Sequence, residues 1–169
     1  MSGTLTSPSP SSSPQLCVQL HSPFIPASNS FDAPVPVFVK ASVSNTAKSP
    51  LTLLKWGSPL DPRANILGVF TIIDTETHEP VTIDEIKFRR ILPPPLEDFV
   101  QIAPGEDVEV SVTIPRAPLV AGRRYTIQAK GWWQAVWEVP LVDVPIRDLE
   151  ELTGALRGEF KSNIVSIET

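Results

Sequence analysis

The most regular feature of the chain is an alternation of apolar and polar residues along several short segments. In Val35–Asn45 the odd-numbered positions up to 43 are apolar, and polar residues occupy the even-numbered positions from 40 onwards. This period of two predicts a β-strand with one buried and one exposed face. Residues 108–114 and 124–130 repeat the alternation and predict two further strands.

Shorter apolar runs predict the remaining strands. They are separated by turns rich in proline, glycine and polar residues. These runs lie at residues 15–20, 51–56 and 66–74, with a short candidate at 86–91 and a last strand within 158–168. The chain has 19 prolines and 8 glycines, which disfavours long helices because proline interrupts them. Only residues 146–156, with leucines at helical spacing, predict a short helix.

Together the segments predict an all-β fold, an immunoglobulin-like antiparallel β-sandwich of about seven to nine strands with a short helical excursion near 146–156. Residues 1–14 are rich in serine and proline and are predicted to form a disordered tail. Residues 15–169 are predicted to form a single β-sandwich domain.

The charge, the cysteine content and the absence of targeting signals argue against several classes of protein. The formal net charge of -5 argues against nucleic-acid binding, which needs a basic surface. The single cysteine, Cys17, excludes an intramolecular disulfide. The sequence has no Asn-x-Ser/Thr glycosylation acceptor, no apolar run of the roughly 20 residues that cross a membrane, and no signal-peptide pattern in its first residues. These features predict a cytoplasmic protein that binds neither nucleic acid nor membranes.

Side chains that carry catalysis or bind metals are sparse. The only histidines are His21 and His78, so the H-E-x-x-H zinc motif does not occur, and His78 is expected to lie in a solvated turn. Cys17 is expected to be a small buried apolar residue of a strand rather than a nucleophile. We therefore expect a protein that is not an enzyme, with no catalytic residue, no metal site and no cofactor.

Four tryptophans are the candidate binding residues. Trp132, Trp133 and Trp137 lie in one segment, and Trp56 is distant in sequence. On a strand, Trp133 and Trp137 would share one face and Trp132 the other, so the three cannot all enter one core. An exposed tryptophan is a common anchor for a protein partner. The other interpretation is that the tryptophans cover the open end of the sandwich beneath residues 141–157.

Four segments between residues 16 and 168 form a further pattern. They read VPVFVKASVSNTAKSPLTLLKWGSPLDPRANILGVFTI, FVQIAPGEDVEVSVTI, RYTIQAKG and FKSNIVSIE, and the part from Asn45 to Asp61 is the most specific. Together they resemble the N-terminal pro-domain of fungal deuterolysin-type zinc metalloproteases. The sequence shows neither the protease domain nor the secretory signal of that family, so the resemblance implies a stand-alone, cytosolic module. Pro-domains of zinc proteases help their enzyme to fold and block its cleft.

The expected function is a non-catalytic protein-binding module. The resemblance implies a partner that is a protease, bound or inhibited in trans, and a second copy of the chain is the other expected partner. Two alternatives stay open. One is a structural β-sandwich that forms oligomers by pairing its strand edges. The other is a small-ligand-binding protein that uses the tryptophan-rich segment as a pocket wall.

Overall fold

A computed structural model of the protein describes residues 13–26, 31–87 and 89–169. These residues form nine β-strands and one α-helix, α1. The elements are β1 (Leu16–Leu20), β2 (Val35–Asn45), β3 (Leu51–Leu54), β4 (Phe70–Asp74), β5 (Phe99–Ile102), β6 (Asp107–Ala117), β7 (Arg124–Trp137), α1 (Ile146–Glu151), β8 (Leu156–Lys161) and β9 (Val165–Glu168). Of the predicted disordered tail at residues 1–14, residues 1–12 lie outside the described residues.

The strands form two antiparallel sheets that pack face to face. β1, β2 and β6 make a three-stranded sheet with β2 in the middle. The other six strands are arranged around β7: its first part lies between β4 and β9, its last part lies between β3 and β8, and β5 pairs with β3. Both sheets contribute buried side chains to one apolar cluster, among them Val39 and Ile114 from one sheet and Leu53 and Ile127 from the other. The predicted all-β sandwich is confirmed.

The alternation in β2 gives the strand its buried face, as predicted. Val35, Val37, Ala41 and Val43 have no exposed surface and lie in the core between the sheets. On β1, Leu16 and Val18 pack on the core. Because side chains alternate along a strand, Cys17 between them lies on the solvent-exposed face. The prediction that Cys17 is buried is therefore wrong.

A β-bulge in β7 changes which side chains share a face. β7 pairs with β8 through Trp133 opposite Gly158 and through Val136 opposite Leu156, so three steps along β7 match two steps along β8. The extra residue shifts the alternation by one position. Trp133 and Val136 consequently enter the core between the sheets, and Trp137 points to the other face. The prediction that Trp133 and Trp137 share a face is wrong for this reason.

The helical excursion is shorter than predicted. Its helix ends at Glu151 because Leu152 adopts a left-handed conformation, with φ of 57°. Two side-chain hydrogen bonds hold this helix end: Trp137 Nε1 donates to Thr153 O at 3.0 Å, and Arg157, which is close in sequence, donates to Leu152 O at 2.7 Å. Residue 156, the predicted end of the helix, begins β8 instead.

Several strand boundaries also differ from prediction. The strand predicted over 66–74 begins only at Phe70, because a 3-10 turn and Gly68, with φ of 79°, precede it. The strand predicted over 51–56 ends at Leu54. The described residues of 86–91 form no strand. The last predicted strand is two strands, β8 and β9, separated by a short turn.

Candidate functional site

The four candidate tryptophans lie in three different environments. Trp133 is buried in the core, where its ring centroid lies 4.7 Å from that of Phe160. Trp56 and Trp137 belong to a second apolar cluster, on the opposite face of the β3–β5–β7 sheet. The segment that follows β7 covers this second cluster with Leu141, Val144, Leu149, Leu152 and Ala155. Three of the four tryptophans are thus packing residues of the sandwich and of the segment that covers it.

Trp132 is the exposed member of the group, with 54% of its surface accessible. It lines a shallow hollow of about 320 Å³ with Lys130, Glu159, Phe160 and Lys161. The structure therefore places Trp132 alone at the surface and does not bring the four tryptophans together into one patch.

The segment with the most specific resemblance is held by buried polar side chains. The Asp61 carboxylate accepts hydrogen bonds from the backbone N–H groups of Gly57 and Arg63, both at 2.9 Å, and from Arg90 at 2.6 Å. The Arg90 guanidinium lies 5.0 Å from the ring centroid of Trp56, at a distance that permits a cation–π contact. These contacts fix the turn after β3 and connect it to the segment that precedes β5.

Two asparagines of the resembling segments have similar structural roles. Asn45 donates to the carbonyl groups of Ser49 and Ile102 and accepts from Ala47 N–H, which fixes the turn between β2 and β3. Asn163 accepts from Leu20 N–H at 2.6 Å and donates to Leu20 O at 3.0 Å. Asn163 thereby joins the edge of one sheet to the corner between β8 and β9. The hydrogen bonds of Asn45, Asp61 and Asn163 therefore give these motif residues a structural role in fixing turns and strand connections.

The best candidate site is the outer face of the three-stranded sheet, the face opposite the core. Its side chains come from alternate positions on three strands and their extensions, so they form four rows across the sheet. The rows are Cys17, Ser44 and Asp107; Gln19, Ser42 and Glu109; His21, Lys40 and Ser111; and Phe24, Phe38 and Thr113. Eight of these twelve residues are exposed, so this face remains open to solvent.

The last row carries an aromatic pair. Phe24 and Phe38 exchange backbone hydrogen bonds of 2.9 and 3.0 Å, and their rings are stacked with centroids 5.1 Å apart and planes 16° apart. Phe24 is 60% exposed. An open groove of about 410 Å³ runs from this pair across the sheet and is lined also by His21, Lys40 and Ser111. A large apolar pair on an otherwise polar, uncovered face is the kind of surface that marks interaction sites.

Polar groups beside the aromatic pair form a charged cluster. His21 Nε2 lies 2.7 Å from Ser42 Oγ and 3.5 Å from Glu109, and Lys40 approaches Glu109 at 3.9 Å. A serine, a histidine and a carboxylate are thus neighbours. In a Ser-His-acid triad the serine and the acid contact different nitrogens of the ring. Here both contact Nε2, and Ser42 is buried, so the cluster does not have the geometry of a hydrolase triad.

Sequence reasoning missed this site for an identifiable reason. Phe24 follows Pro23 in a segment with no alternation, and its pairing with Phe38 joins residues that are distant in the sequence. One signal was present: Phe38 is an aromatic residue on the polar side of the β2 alternation. A large apolar side chain at an outward position of a half-buried strand indicates a surface patch.

Comparison with known proteins identifies the family. A family model described as an immunoglobulin-like domain matches residues 28–169. The chain belongs to this immunoglobulin-like domain family. A fungal relative from Arthroderma benhamiae, named an uncharacterized secreted protein, is 46% identical over 136 residues, which cover 78% of this chain and 69% of the relative.

A solved structure shares the fold of this immunoglobulin-like domain. It is the crystal structure of the ApaA protein from Bordetella pertussis, with a TM-score of 0.50 and 14% identity, covering 93% of this chain and 96% of the other. At this identity the likeness shows the fold alone. The family match supports the immunoglobulin-like domain and does not extend to the finer resemblance to deuterolysin pro-domains.

The predicted cytoplasmic location is contradicted by the fungal relative, whose name describes it as secreted. The prediction rested on the absence of a signal-peptide pattern, a disulfide and a glycosylation acceptor. Secreted domains of this size can fold without the last two when their core is large enough. Among the described residues there is no group of three or more histidine, cysteine or acidic side chains placed to hold a metal ion. No helix in the described ranges has the length and apolar character to span a membrane.

Proposed function

We propose that this immunoglobulin-like domain is a secreted, non-catalytic protein-binding module that contacts its partner through the outer face of the three-stranded sheet. The observation that carries the proposal is the stacked pair of Phe24, which is 60% exposed, and Phe38, on an otherwise polar sheet face that no described segment covers. Secretion is proposed from the name of the fungal relative.

The aromatic pair has the properties of a binding anchor. Residues that dominate binding energy are large, rigid and surrounded by polar groups that exclude water when the partner docks. Phe24 is already ordered by stacking on Phe38 and by two backbone hydrogen bonds. Binding would therefore cost little conformational entropy at this position.

The non-catalytic part of the proposal is supported by the chemistry of the same face. The cluster of His21, Ser42 and Glu109 lacks the two-sided contact that activates a serine. Cys17 lies on this face but two rows from His21, and the row between them carries Gln19. The groove lies on an open sheet surface, and Trp133 and Trp137 are buried in packed clusters. The small-ligand alternative therefore gains no support from the tryptophan-rich segment.

The partner we propose first is a secreted zinc protease of the deuterolysin type, because the resembling segments imply a pro-domain-like module. The test is binding of the purified protein to such a protease by surface plasmon resonance, with protease activity measured in parallel. We expect saturable binding at micromolar concentration or tighter. No binding at micromolar concentration would overturn the protease partner.

A further inference from the structure

Among the described strands, β6 lies at one edge of the three-stranded sheet and borders its outer face. Phe24 and Phe38 exchange both backbone hydrogen bonds, so the backbone groups of the even-numbered residues of β2 face β1 and those of the odd-numbered residues face β6. In the register of the two strands, odd-numbered residues of β2 lie opposite even-numbered residues of β6, such as Val39 opposite Val112. The N–H and C=O groups of the odd-numbered residues of β6 therefore point away from the sheet.

Two neighbouring features show where this edge is closed. Asn65 Nδ2 donates to Thr113 O at 2.9 Å, from the side away from β2. Pro115, which has no N–H, occupies the next odd-numbered position. By contrast, within the described part of the chain the outward backbone groups of Asp107, Glu109 and Ser111 bond to no other residue. The open part of the edge is thus residues 107–111.

The side chains along the open edge are acidic. Asp107 and Glu109 are exposed on the outer face, and Glu106 precedes them. A second copy that paired antiparallel through the same edge would bring these carboxylates against each other, and like charges directly opposite are destabilising. Opposite charges across two strands stabilise their pairing. The charge of this edge therefore disfavours self-association and favours a basic partner.

We propose that an extended polypeptide segment with alternating basic side chains adds to β6 at residues 107–111 as a fourth strand. Strand addition of this kind takes its affinity from main-chain hydrogen bonds and its specificity from alternate side chains. A cleft of about 390 Å³ between residues 59–65 and residues 110–113 lies where the incoming strand would end. This inference rests on the proposed function, because it names the partner segment that the binding module would take.

The register predicts which residues of the partner carry the bonds. The open backbone groups belong to Asp107, Glu109 and Ser111, so an antiparallel partner residue directly opposite one of them exchanges both hydrogen bonds with it. Residues that are directly opposite also place their side chains on the same face. The basic side chains that face Asp107 and Glu109 must therefore belong to the same residues whose N–H groups bond to β6.

The test uses a blocked peptide of about nine residues in which valine and lysine alternate, with binding followed by fluorescence anisotropy. We expect N-methylation of the lysine amides to weaken binding at least tenfold, and N-methylation of the valine amides to change it less than about twofold. No binding of the unmodified peptide at about 1 mM, or equal binding of the two methylated peptides, would overturn the proposal.

A pair of protein variants gives a matched comparison. Ser111→Pro removes one outward N–H, whereas Ser111→Ala removes the hydroxyl and keeps the N–H. We expect Ser111→Pro to bind the peptide about tenfold more weakly than Ser111→Ala, because the two variants differ in the outward N–H. If Ser111→Pro does not fold, the two methylated peptides decide the question.

Failure of this inference and failure of the proposed function give different results. Peptide binding that depends on the lysine amides, without any protease binding, keeps strand addition and rejects the protease partner. Protease binding that is weakened by Phe24→Ala, together with peptides that do not bind, rejects strand addition and keeps the proposed function.

Discussion

At the residue scale, a few buried polar side chains fix the connections of this sandwich. Asp61 is the clearest case, because its carboxylate is 1% exposed and accepts from two backbone N–H groups and from Arg90. A buried charge is tolerated when it is paired and fully hydrogen-bonded. The segment Asn45–Asp61 is distinctive in sequence because the turn that it forms needs these polar contacts.

Replacing Asp61 by alanine should strongly destabilise the protein. The substitution removes the buried acceptor of two backbone N–H groups and one ion-pair partner of Arg90, which together typically cost about 3–5 kcal/mol. Asp84→Ala is the matched control, because the Asp84 carboxylate is 71% exposed and lies 3.7 Å from Arg116. The control should change the free energy of unfolding by less than about 0.5 kcal/mol. Urea unfolding measures both variants. An equal decrease in the free energy of unfolding for Asp61→Ala and Asp84→Ala would contradict this role of Asp61.

Asp74 gives a prediction for pH dependence. The backbone N–H of Glu76, the Arg123 guanidinium and the N–H of Thr77 hold the pKa of Asp74 below its ordinary value of 3.8, against the opposing effect of burial. A pKa that is lowered in the folded state stabilises the protein above the ordinary value, and this contribution is lost as pH falls through the lowered pKa.

The stability gap between the protein and Asp74→Asn should therefore be largest near neutral pH. It should shrink as pH falls below about 4, because the unfolded state then binds a proton at Asp74 that the folded state, with its lowered pKa, binds only at lower pH. Urea unfolding of both proteins between pH 7 and pH 2 measures the gap. If the gap stays constant over this range, the ionised form of Asp74 does not stabilise the folded protein, which contradicts the prediction.

At the scale of elements, β7 organises the larger sheet and supplies side chains to both apolar clusters. Its bulge sends Trp133 to the core and Trp137 to the cluster beneath residues 141–155. The covering segment has one 3-10 turn and one short α-helix, and Trp137 bonds directly to Thr153 within it. Packing on Trp137 thus holds a segment that has little regular hydrogen bonding of its own.

Trp137→Ala should cost about 3–5 kcal/mol of stability, since it empties a large buried site. It should also speed amide hydrogen exchange in α1 and in residues 152–155. Trp132→Ala is the control from the same strand, because Trp132 is 54% exposed, and it should change stability by less than about 1 kcal/mol. Similar exchange rates in the two variants would contradict the role given to Trp137.

The sequence predicted the elements whose cause is local. The bounds of β2 follow from its alternation, which is visible in the sequence. The face of Trp137 could not be predicted, because a bulge set by pairing with β8 determines it. The end of α1 could not be predicted either, because it is set by the left-handed conformation of Leu152, which a leucine rarely adopts. The candidate site escaped prediction because Phe24 meets Phe38 only through folding.

At the scale of the whole molecule, the two sheets differ in how their outer faces are covered. The outer face of the larger sheet carries the cluster of Trp56 and Trp137, which the segment after β7 covers. No described segment covers the outer face of the smaller sheet, which carries the aromatic pair, the charged cluster and the acidic edge of β6. The smaller sheet is therefore the surface through which this domain is proposed to meet its partner.

The most direct measurement compares three exposed side chains in binding to the immobilised protease. Phe24, Trp132 and Ile164 are 60%, 54% and 61% exposed, so alanine at each position removes a similarly accessible apolar group. We predict that Phe24→Ala weakens binding at least tenfold, which corresponds to about 1.4 kcal/mol, while Trp132→Ala and Ile164→Ala stay within about twofold. Weaker binding of Trp132→Ala, with Phe24→Ala unchanged, would contradict the claim that the three-stranded sheet is the binding face.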